Sequence, residues 1–283
     1  MADPGETTVV IPAYNEQDAI ADVVSRVRGR GAWQEVLVVD DGSTDQTAER
    51  AQQAGARVVR HPYNKGNGAA VKTGIREARG AVVLLMDADG QHDPEDMARL
   101  VAAVGVHDMV IGARSAQDQA FTRALGNAVF RTLASWLTGR PIPDLTSGFR
   151  AARRDRLAEI LHLLPNGFSY PTTSCLALMK AGYNVGFLPV SARARIGTSK
   201  IRPLRDGVRF LLIILKIVTL YSPLKVFFPI SAVAFVLGVV YGIWNVAVHG
   251  KIPMGSALLI QLAVVVFLFG LISEQIASGH DRA

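Results

Sequence analysis

"AVVLLMDADGQHDPED", residues 81–96, runs from an unbroken apolar strand into five carboxylates: Asp87, Asp89, Asp93, Glu95 and Asp96. A strand that is apolar along its length, instead of alternating, is covered on both faces, as in parallel sheets under helices. The residues after it read as a helix start. Asp93 suits the N-cap, Pro94 the first helical position, and Glu95 and Asp96 lie against the positive end of the dipole. The stretch is one βα unit.

Working outward, the same unit recurs. "TTVVIP" (7–12) is a short β-branched run before a helical pattern over 16–28, with Ile20, Val23, Val24 and Val27 on one side. "EVLVVD" (35–40) precedes a helix over 45–54, and "ARVVRH" (56–61) one over 68–78. The strand at 81–87 precedes a helix over 94–104, then "DMVIGAR" (108–114) follows, a helix over 121–140, and a late strand "NVGFLPV" (184–190). Such alternation predicts an α/β domain with a mostly parallel sheet covered by helices on both faces. In such sheets ligands gather at the carboxyl ends of the strands. That directs attention to four strand ends: Pro12–Glu16, Asp40–Gly42, His61–Gly66 and Asp87–Gln91.

The helix start accounts for Asp93, Glu95 and Asp96, and turn chemistry accounts for Asp89-Gly90 taken alone. Asp87, ending an apolar strand, has no such reason, and an unpaired carboxylate there is costly. Asp87 and Asp89 can aim at one point where the strand frays, and Gln91 can add an amide oxygen. Oxygen donors of this kind suit a hard divalent cation, Mg²⁺ or Mn²⁺, that shares its other positions with phosphates and water. At the second strand end, Asp41-Gly42 makes a turn and Ser43 or Thr44 can cap the next helix, which leaves Asp40 to accept hydrogen bonds from a base or ribose. "NKGNGAAVKTG" (64–74) is glycine-rich before a helix. Its backbone can approach a ligand closely with Lys65 meeting phosphate, or its glycines can serve a plain flexible turn. It matches neither the P-loop nor the G-x-G-x-x-G spacing.

The C-terminal part has another composition. Residues 226–248 are 23 positions without a charge and 252–273 another 22, joined by His249–Lys251. Each is long enough to cross ~30 Å of hydrocarbon as a helix. The alternative is a buried hairpin in a soluble core, whose helices rarely run so long uncharged. Between Arg193 and Lys225 stand eight basic residues against one acid, Asp206. Arg202, Arg205, Arg209 and Lys216 share one side of a helical pattern over 203–221, so that stretch is expected to lie as an amphipathic helix in the headgroup plane. The positive-inside rule puts it in the cytoplasm, and two spans return the C-terminus there. The start "MADPGETTVV" has no signal-peptide pattern, so residues 1–190 are expected on the same side. Much of the net charge of +6 belongs to the juxtamembrane stretch, where anionic lipid headgroups are its natural partner. No basic motif with interleaved aromatics points to nucleic acid. Cys175 is the only cysteine, which excludes an internal disulfide and a thiolate metal cluster.

Taken in order, "VVIPAYNE" (9–16), "VLVVDDGSTDQT" (36–47), "NKGNGAAVKTGI" (64–75) and "MDADGQHDPED" (86–96) resemble the nucleotide-sugar domain of family 2 glycosyltransferases with the GT-A fold. "DLTSGFRA" (144–151) and the two spans resemble the polyprenyl-phosphate branch, the dolichyl-phosphate mannose synthases and their bacterial undecaprenyl-phosphate glucosyltransferase relatives. No Q-x-x-R-W, the signature of processive polysaccharide synthases, is present. The resemblance implies a membrane-bound, inverting, metal-dependent transfer of a hexose from a UDP- or GDP-sugar to a polyprenyl phosphate. It allows for a homo-oligomer. Its rivals are a different lipid or glycan acceptor, such as diacylglycerol, and a catalytically silent scaffold.

The same resemblance implies roles for residues. Pro12, Tyr14, Glu16 and Asp41 would surround the base and ribose with Asp40 and Lys65 nearby, and Asp87, Asp89 and Gln91 would hold the metal on the donor diphosphate. Arg114 in "IGARS" would join Arg123 and Asn127 in a pocket for the acceptor phosphate, Asn127 standing where the family has serine. Ser199, Lys200 and Arg202 in "RIGTSKIR" would close over the diphosphate. The expected organisation is a cytoplasmic GT-A domain over 1–200, the amphipathic helix over 201–222, a two-helix membrane hairpin over 223–278 and a short tail over 279–283.

Overall fold

The computed structural model describes residues 3–90, 92–114, 132, 134–136, 138–167, 169–191 and 223–280, and the chain divides into two compact units, Met1–Leu211 and Leu212–Ala283. In the first unit seven strands form one sheet: β1 (Thr7–Ala13), β2 (Glu35–Asp40), β3 (Arg57–Arg60), β4 (Val82–Leu85), β5 (Met109–Arg114), β6 (Arg150–Arg153) and β7 (Val185–Val190). Their order is β3-β2-β1-β4-β6-β5-β7. Only β6 runs antiparallel, against β4 on one side and β5 on the other. The mostly parallel α/β sheet expected from the alternation is therefore present, with β1 and β4 buried at every position as their unbroken apolar runs require.

Helices α1 (Ile20–Gly29), α2 (Thr47–Gln53), α3 (Asn67–Glu77) and α4 (Pro94–Ala103) make the crossovers. α1 buries the predicted stripe Ile20, Val23, Val24 and Val27. It starts four residues later than the pattern suggests, because the backbone before it is tied to the loop after β2. α4 starts as expected: Asp93 Oδ1 accepts from Glu95 N at 3.1 Å, with Pro94 and two acids in the first turn.

Three elements were not legible in the sequence: β6, α5 (Arg154–Glu159) and α6 (Tyr170–Lys180). β6 has arginines at both ends, and Arg150, opposite Leu85 and Ile111, is fully buried. α6 buries all of its first nine residues, so no 3.6-residue polar–apolar period marks it. Cys175 lies in that helix at 0% exposure, with its thiol pushed up to about 12 by burial, a core side chain without thiolate chemistry.

The second unit is a hairpin of α7 (Leu224–His249) and α8 (Met254–His280). Both helices are long and apolar enough to cross a membrane, and only 11% and 17% of their apolar stretches are buried. A soluble core hairpin would bury most of that surface, so this reading fails. Small residues bring the two helices close. Ser256, Ala263 and Gly270, seven apart, are buried, and Ser256 Oγ donates to Gly238 O at 2.7 Å. A Cβ on Gly238 would meet Ile260 Cγ1 at 2.9 Å. At the open end, Leu224 N donates to Glu274 Oε2 at 3.1 Å, which satisfies one unpaired donor of the first turn.

Several expectations fall outside the described residues: Gln91, Arg123, Asn127, Ser199, Lys200, Arg202 and the amphipathic helix over 203–221. Of the helix expected over 121–140, residues 132, 134–136 and 138 are described and helical.

Candidate functional site

The four strand ends singled out in the sequence lie on one edge of the sheet, since β1 to β4 run parallel. Strand order reverses between β1 and β4, which makes their carboxyl ends the natural crevice. Pro12 fits this point. Val10 O accepts from Met86 N on the β4 side and Ala13 O from Asp41 N on the β2 side. Alternation turns the backbone of Pro12 toward β4, whose ladder with β1 has already ended at Leu85. A proline there costs no sheet hydrogen bond.

The loop after β1 is sewn to the loop after β2. Asn15 N donates to Ser43 Oγ and Thr44 N to Asn15 Oδ1, both at 2.9 Å, and Glu16 N donates to Thr47 Oγ1 at 2.9 Å. Asn15 is the one non-glycine with positive φ among the described residues, at +53°, a conformation asparagine tolerates best. The result leaves Tyr14 exposed and Glu16 half-buried at the rim, beside the buried Pro12.

The second and third strand ends form a brace. Asp40 is fully buried, accepts from Ser43 N at 3.0 Å and pairs with Arg60 at 3.1 Å. Asp41, 2% exposed, accepts from Lys65 N at 3.0 Å and Gly66 N at 2.8 Å. Its Oδ1 also faces His61 Nδ1 at 2.6 Å, and His61 Nε2 reaches Thr73 Oγ1 at 2.9 Å. The carboxylate expected beside base and ribose therefore also holds the glycine-rich loop.

The glycines of that loop also have a defined reason. A Cβ on Gly66, which has φ +103°, would run into Asn166 O, and one on Gly68 into Pro165 O. Ala69 N donates to Asn166 O at 3.2 Å, so this segment closes over the first turn of α3. The backbone that approaches closely is the protein's own 165–167 loop, and neither a ligand nor a flexible turn is needed to explain the spacing. The Lys65 side chain is exposed, its Nζ 5.6 Å from the Tyr63 ring. A shallow cleft at the carboxyl ends of β2 and β3, lined by residues including Ser43, Arg60 and His61, lies beside this brace and does not include Asp87 or Asp89.

The chemistry concentrates at the end of β4. Asp87 and Asp89 follow the strand, and Gly90 turns the chain with φ +72°. Arg114, ending β5, is clamped by Asp144. Its Nε donates to Asp144 Oδ2 at 2.8 Å, and its Nη2 to Asp144 Oδ1 at 3.3 Å and to Thr146 Oγ1 at 2.9 Å. Asp144 also accepts from Thr146 N at 3.0 Å and Ser147 N at 3.1 Å, so one buried carboxylate shapes the "DLTS" turn and aims the guanidinium. Burial pulls the Arg114 proton affinity down, but Asp144, then Asp87 and Asp89, outweigh it and hold it above the ordinary arginine value.

Beneath lies Arg150, whose Nη1 donates to Pro171 O and Ser174 Oγ, each at 2.7 Å, and whose Nη2 donates to Ser147 O. His92 Nε2 stands 3.5 Å from Asp87 Oδ2. A Cβ on Gly148 would come within 2.7 Å of the same oxygen. Burial pushes the Asp87 carboxyl up, yet His92, Arg114 and Arg150 together hold it below the usual carboxylate range. Asp87 therefore stays anionic beside a second acid.

Two such carboxylates suit a hard cation. Among the described residues no group of three His, Cys, Asp or Glu side chains is placed to hold one. Sequence reading missed His92, Asp144, Gly148 and Arg150 as parts of this site. Each lies in a motif that carries the resemblance, "DLTSGFRA" for the last three and "MDADGQHDPED" for His92, but the motif alone gave none of them a role.

Comparison with known proteins follows the same division of the chain. The profile of "Glycosyl transferase family 2" matches residues 8–161, and that of "GtrB C-terminal hairpin" matches residues 222–278. Glycosyltransferase AglJ of Haloferax volcanii is 30% identical, over 99% of this chain and 96% of its own length. A dolichyl-phosphate hexose transferase of the same organism is 31% identical, over 71% of this chain and 89% of its own. Among solved structures, glucosyl-3-phosphoglycerate synthase from Mycobacterium tuberculosis, in complex with Mn²⁺, uridine diphosphate and phosphoglyceric acid, matches with a TM-score of 0.62. It is 24% identical, with 75% of this chain and 78% of that chain covered, a likeness of fold.

Proposed function

Because the chain belongs to glycosyl transferase family 2, we propose that it moves a hexose from a UDP- or GDP-sugar to a polyprenyl phosphate, giving polyprenyl-phosphate sugar and nucleoside diphosphate. One observation carries the reading: a family 2 catalytic sheet and a membrane-length hairpin occupy a single chain. An acceptor that stays in the bilayer and offers only its headgroup is the substrate such a chain suits. The similarity to a dolichyl-phosphate hexose transferase supports it. In this reading the protein is a multi-pass membrane protein whose catalytic domain and both termini face the cytoplasm.

A phosphate monoester is already anionic near neutral pH, so the nucleophile needs little help from a general base. Its oxygen attacks the anomeric carbon while the bond from that carbon to the diphosphate breaks, and one displacement inverts the configuration. The tasks left to the protein are to bring two anions together and to stabilise the departing diphosphate. Asp87 and Asp89, with Gln91, would hold Mg²⁺ or Mn²⁺, which as a Lewis acid neutralises charge on the leaving group. Pro12, Tyr14, Glu16 and Asp41 would surround the base and ribose with Asp40 and Lys65 nearby, and Ser199, Lys200 and Arg202 would close over the diphosphate. Arg114, with Arg123 and Asn127, would receive the acceptor phosphate, which the positive charge held there by Asp144 attracts.

The direct test is a screen of UDP- and GDP-hexoses against undecaprenyl phosphate and diacylglycerol, with Mg²⁺ or Mn²⁺, analysed by mass. Transfer to diacylglycerol but not to undecaprenyl phosphate overturns the proposal. A second expected result concerns the Arg114 clamp. Asp144→Asn keeps the acceptor for the "DLTS" turn but loses the charge that aims Arg114. It is expected to lower kcat/KM for polyprenyl phosphate by about 100-fold, the scale of a small misplacement at a reacting centre, with the nucleotide-sugar KM changed far less. Equal losses for both substrates would separate Arg114 from the acceptor side.

A further inference from the structure

His92 is 6% exposed, yet its Nε2 makes no hydrogen bond of ordinary geometry to the protein. Buried polar atoms are nearly always partnered, so an orphan of this kind needs a reason. The nitrogen faces Asp87 Oδ2 at 3.5 Å, longer than a formed hydrogen bond but within ion-pair reach. The ring is not loose. It lies flat on Phe149, with centroids 4.7 Å apart and planes at 18°, and Phe149 itself is fully buried. Phe149 sits between Gly148, whose missing side chain leaves room for the Asp87 carboxylate, and Arg150, whose charge lies beneath it.

The rotation of an aspartate carboxylate about its last bond is soft, with broad two-fold preferences. An Asp that must present oxygens to a cation therefore needs its plane set from outside, and metal-binding carboxylates are ordinarily hydrogen-bonded by neighbours for that purpose. Gly148 packs against the Asp87 carboxylate. His92, clamped by the stack on Phe149, turns Nε2 toward its Oδ2. A histidine present only to fill space would not leave a buried nitrogen aimed at a carboxylate.

We propose that His92 is a positioning residue for the cation site: its imidazole, held on Phe149, fixes the Asp87 carboxylate in the orientation that binds the divalent metal. This rests on the metal reading of Asp87 and Asp89 given above. It also ties the loop after β4 to the segment entering β6, so that the metal ligand and the Arg114 clamp are set by one stretch of chain.

The test uses full-length protein in detergent, titrated with Mn²⁺ in the presence of UDP or GDP, with free Mn²⁺ read by electron paramagnetic resonance. His92→Phe keeps a ring on Phe149 and removes the nitrogen. It is expected to weaken Mn²⁺ binding by about 10- to 100-fold, the usual effect of removing a group that orients a ligand, while the thermal midpoint stays near that of the wild type. His92→Gln, whose amide can reach the place of Nε2, is expected to restore most of the affinity. If the Phe variant does not fold, Gln is compared with Leu in the same titration. Wild-type Mn²⁺ affinity in the folded variant lacking the nitrogen overturns the role of His92 and leaves the metal reading standing. No Mn²⁺ binding by the wild type with either nucleotide overturns the metal reading itself, and this proposal with it.

Discussion

Asp89→Ala is expected to lower sugar transfer by at least about 1000-fold, the equivalent of ~4 kcal/mol of transition-state stabilisation, with the fold intact. The leaving group is a diphosphate, and charge builds on it as the anomeric bond breaks. Of the groups at the end of β4, Asp87 and Asp89 are the ones that can fix a cation where that charge appears, and excess metal does not replace a missing ligand. The fold should tolerate the change because Asp89 lies in the turn beyond β4, outside the sheet. The measurement is transfer from the accepted nucleotide sugar to polyprenyl phosphate across a Mn²⁺ series, alongside circular dichroism and a thermal melt. Full activity of the folded variant in detergent would sink the metal assignment.

The largest effect on stability is expected at Arg150. Arg150→Met should cost about 3 kcal/mol, the scale found when one member of a buried charged network is removed. That corresponds to a fall in the thermal midpoint of roughly 6–12 °C for a domain of this size. Replacing a whole buried ion network by apolar groups is often neutral, but here the partners remain. Ser147 O, Pro171 O and Ser174 Oγ each lose the guanidinium donor. The Asp87 and Asp144 carboxylates would also lose the cation that lies under both. Activity should therefore fall more than the loss of folded protein explains. Arg150→Lys keeps the charge but gathers its donors on one nitrogen, which cannot stand where both Nη1 and Nη2 do, and is expected to fall between wild type and Met. A Met variant that melts with the wild type would show that the network is only filler.

The contrast between these two residues reflects how the site is encoded. Asp89 was legible because an acid-x-acid turn after an apolar strand is a local pattern, and because three other strand ends pointed to the same edge. Arg150 was not, since an arginine in a short strand bordered by a second arginine reads as surface. His92 stands in a motif, but its role was not legible there, since that comes from Asp87 and Phe149, which meet it only in the fold. Asp41 shows the opposite outcome. Its motif was plain, but only the fold shows that its oxygens also hold His61 and the backbone of Lys65 and Gly66.

What the sequence determined by itself is whatever local chemistry encodes. The βα alternation follows from apolar runs and helix periodicity, and the sorting of Asp93, Glu95 and Asp96 from Asp87 and Asp89 follows from helix capping. The membrane hairpin follows from two uncharged stretches long enough to cross hydrocarbon. Only the tertiary structure decided which atoms meet across the chain. Lys72 reaches Leu164 O, 92 residues away, so the glycine-rich loop packs against the protein itself. Gly148 leaves space for Asp87, and Asp144 turns Arg114. The physical reason is that burial and propensity have a period along the chain, whereas the partner of a buried polar atom depends on which distant backbone comes to rest beside it.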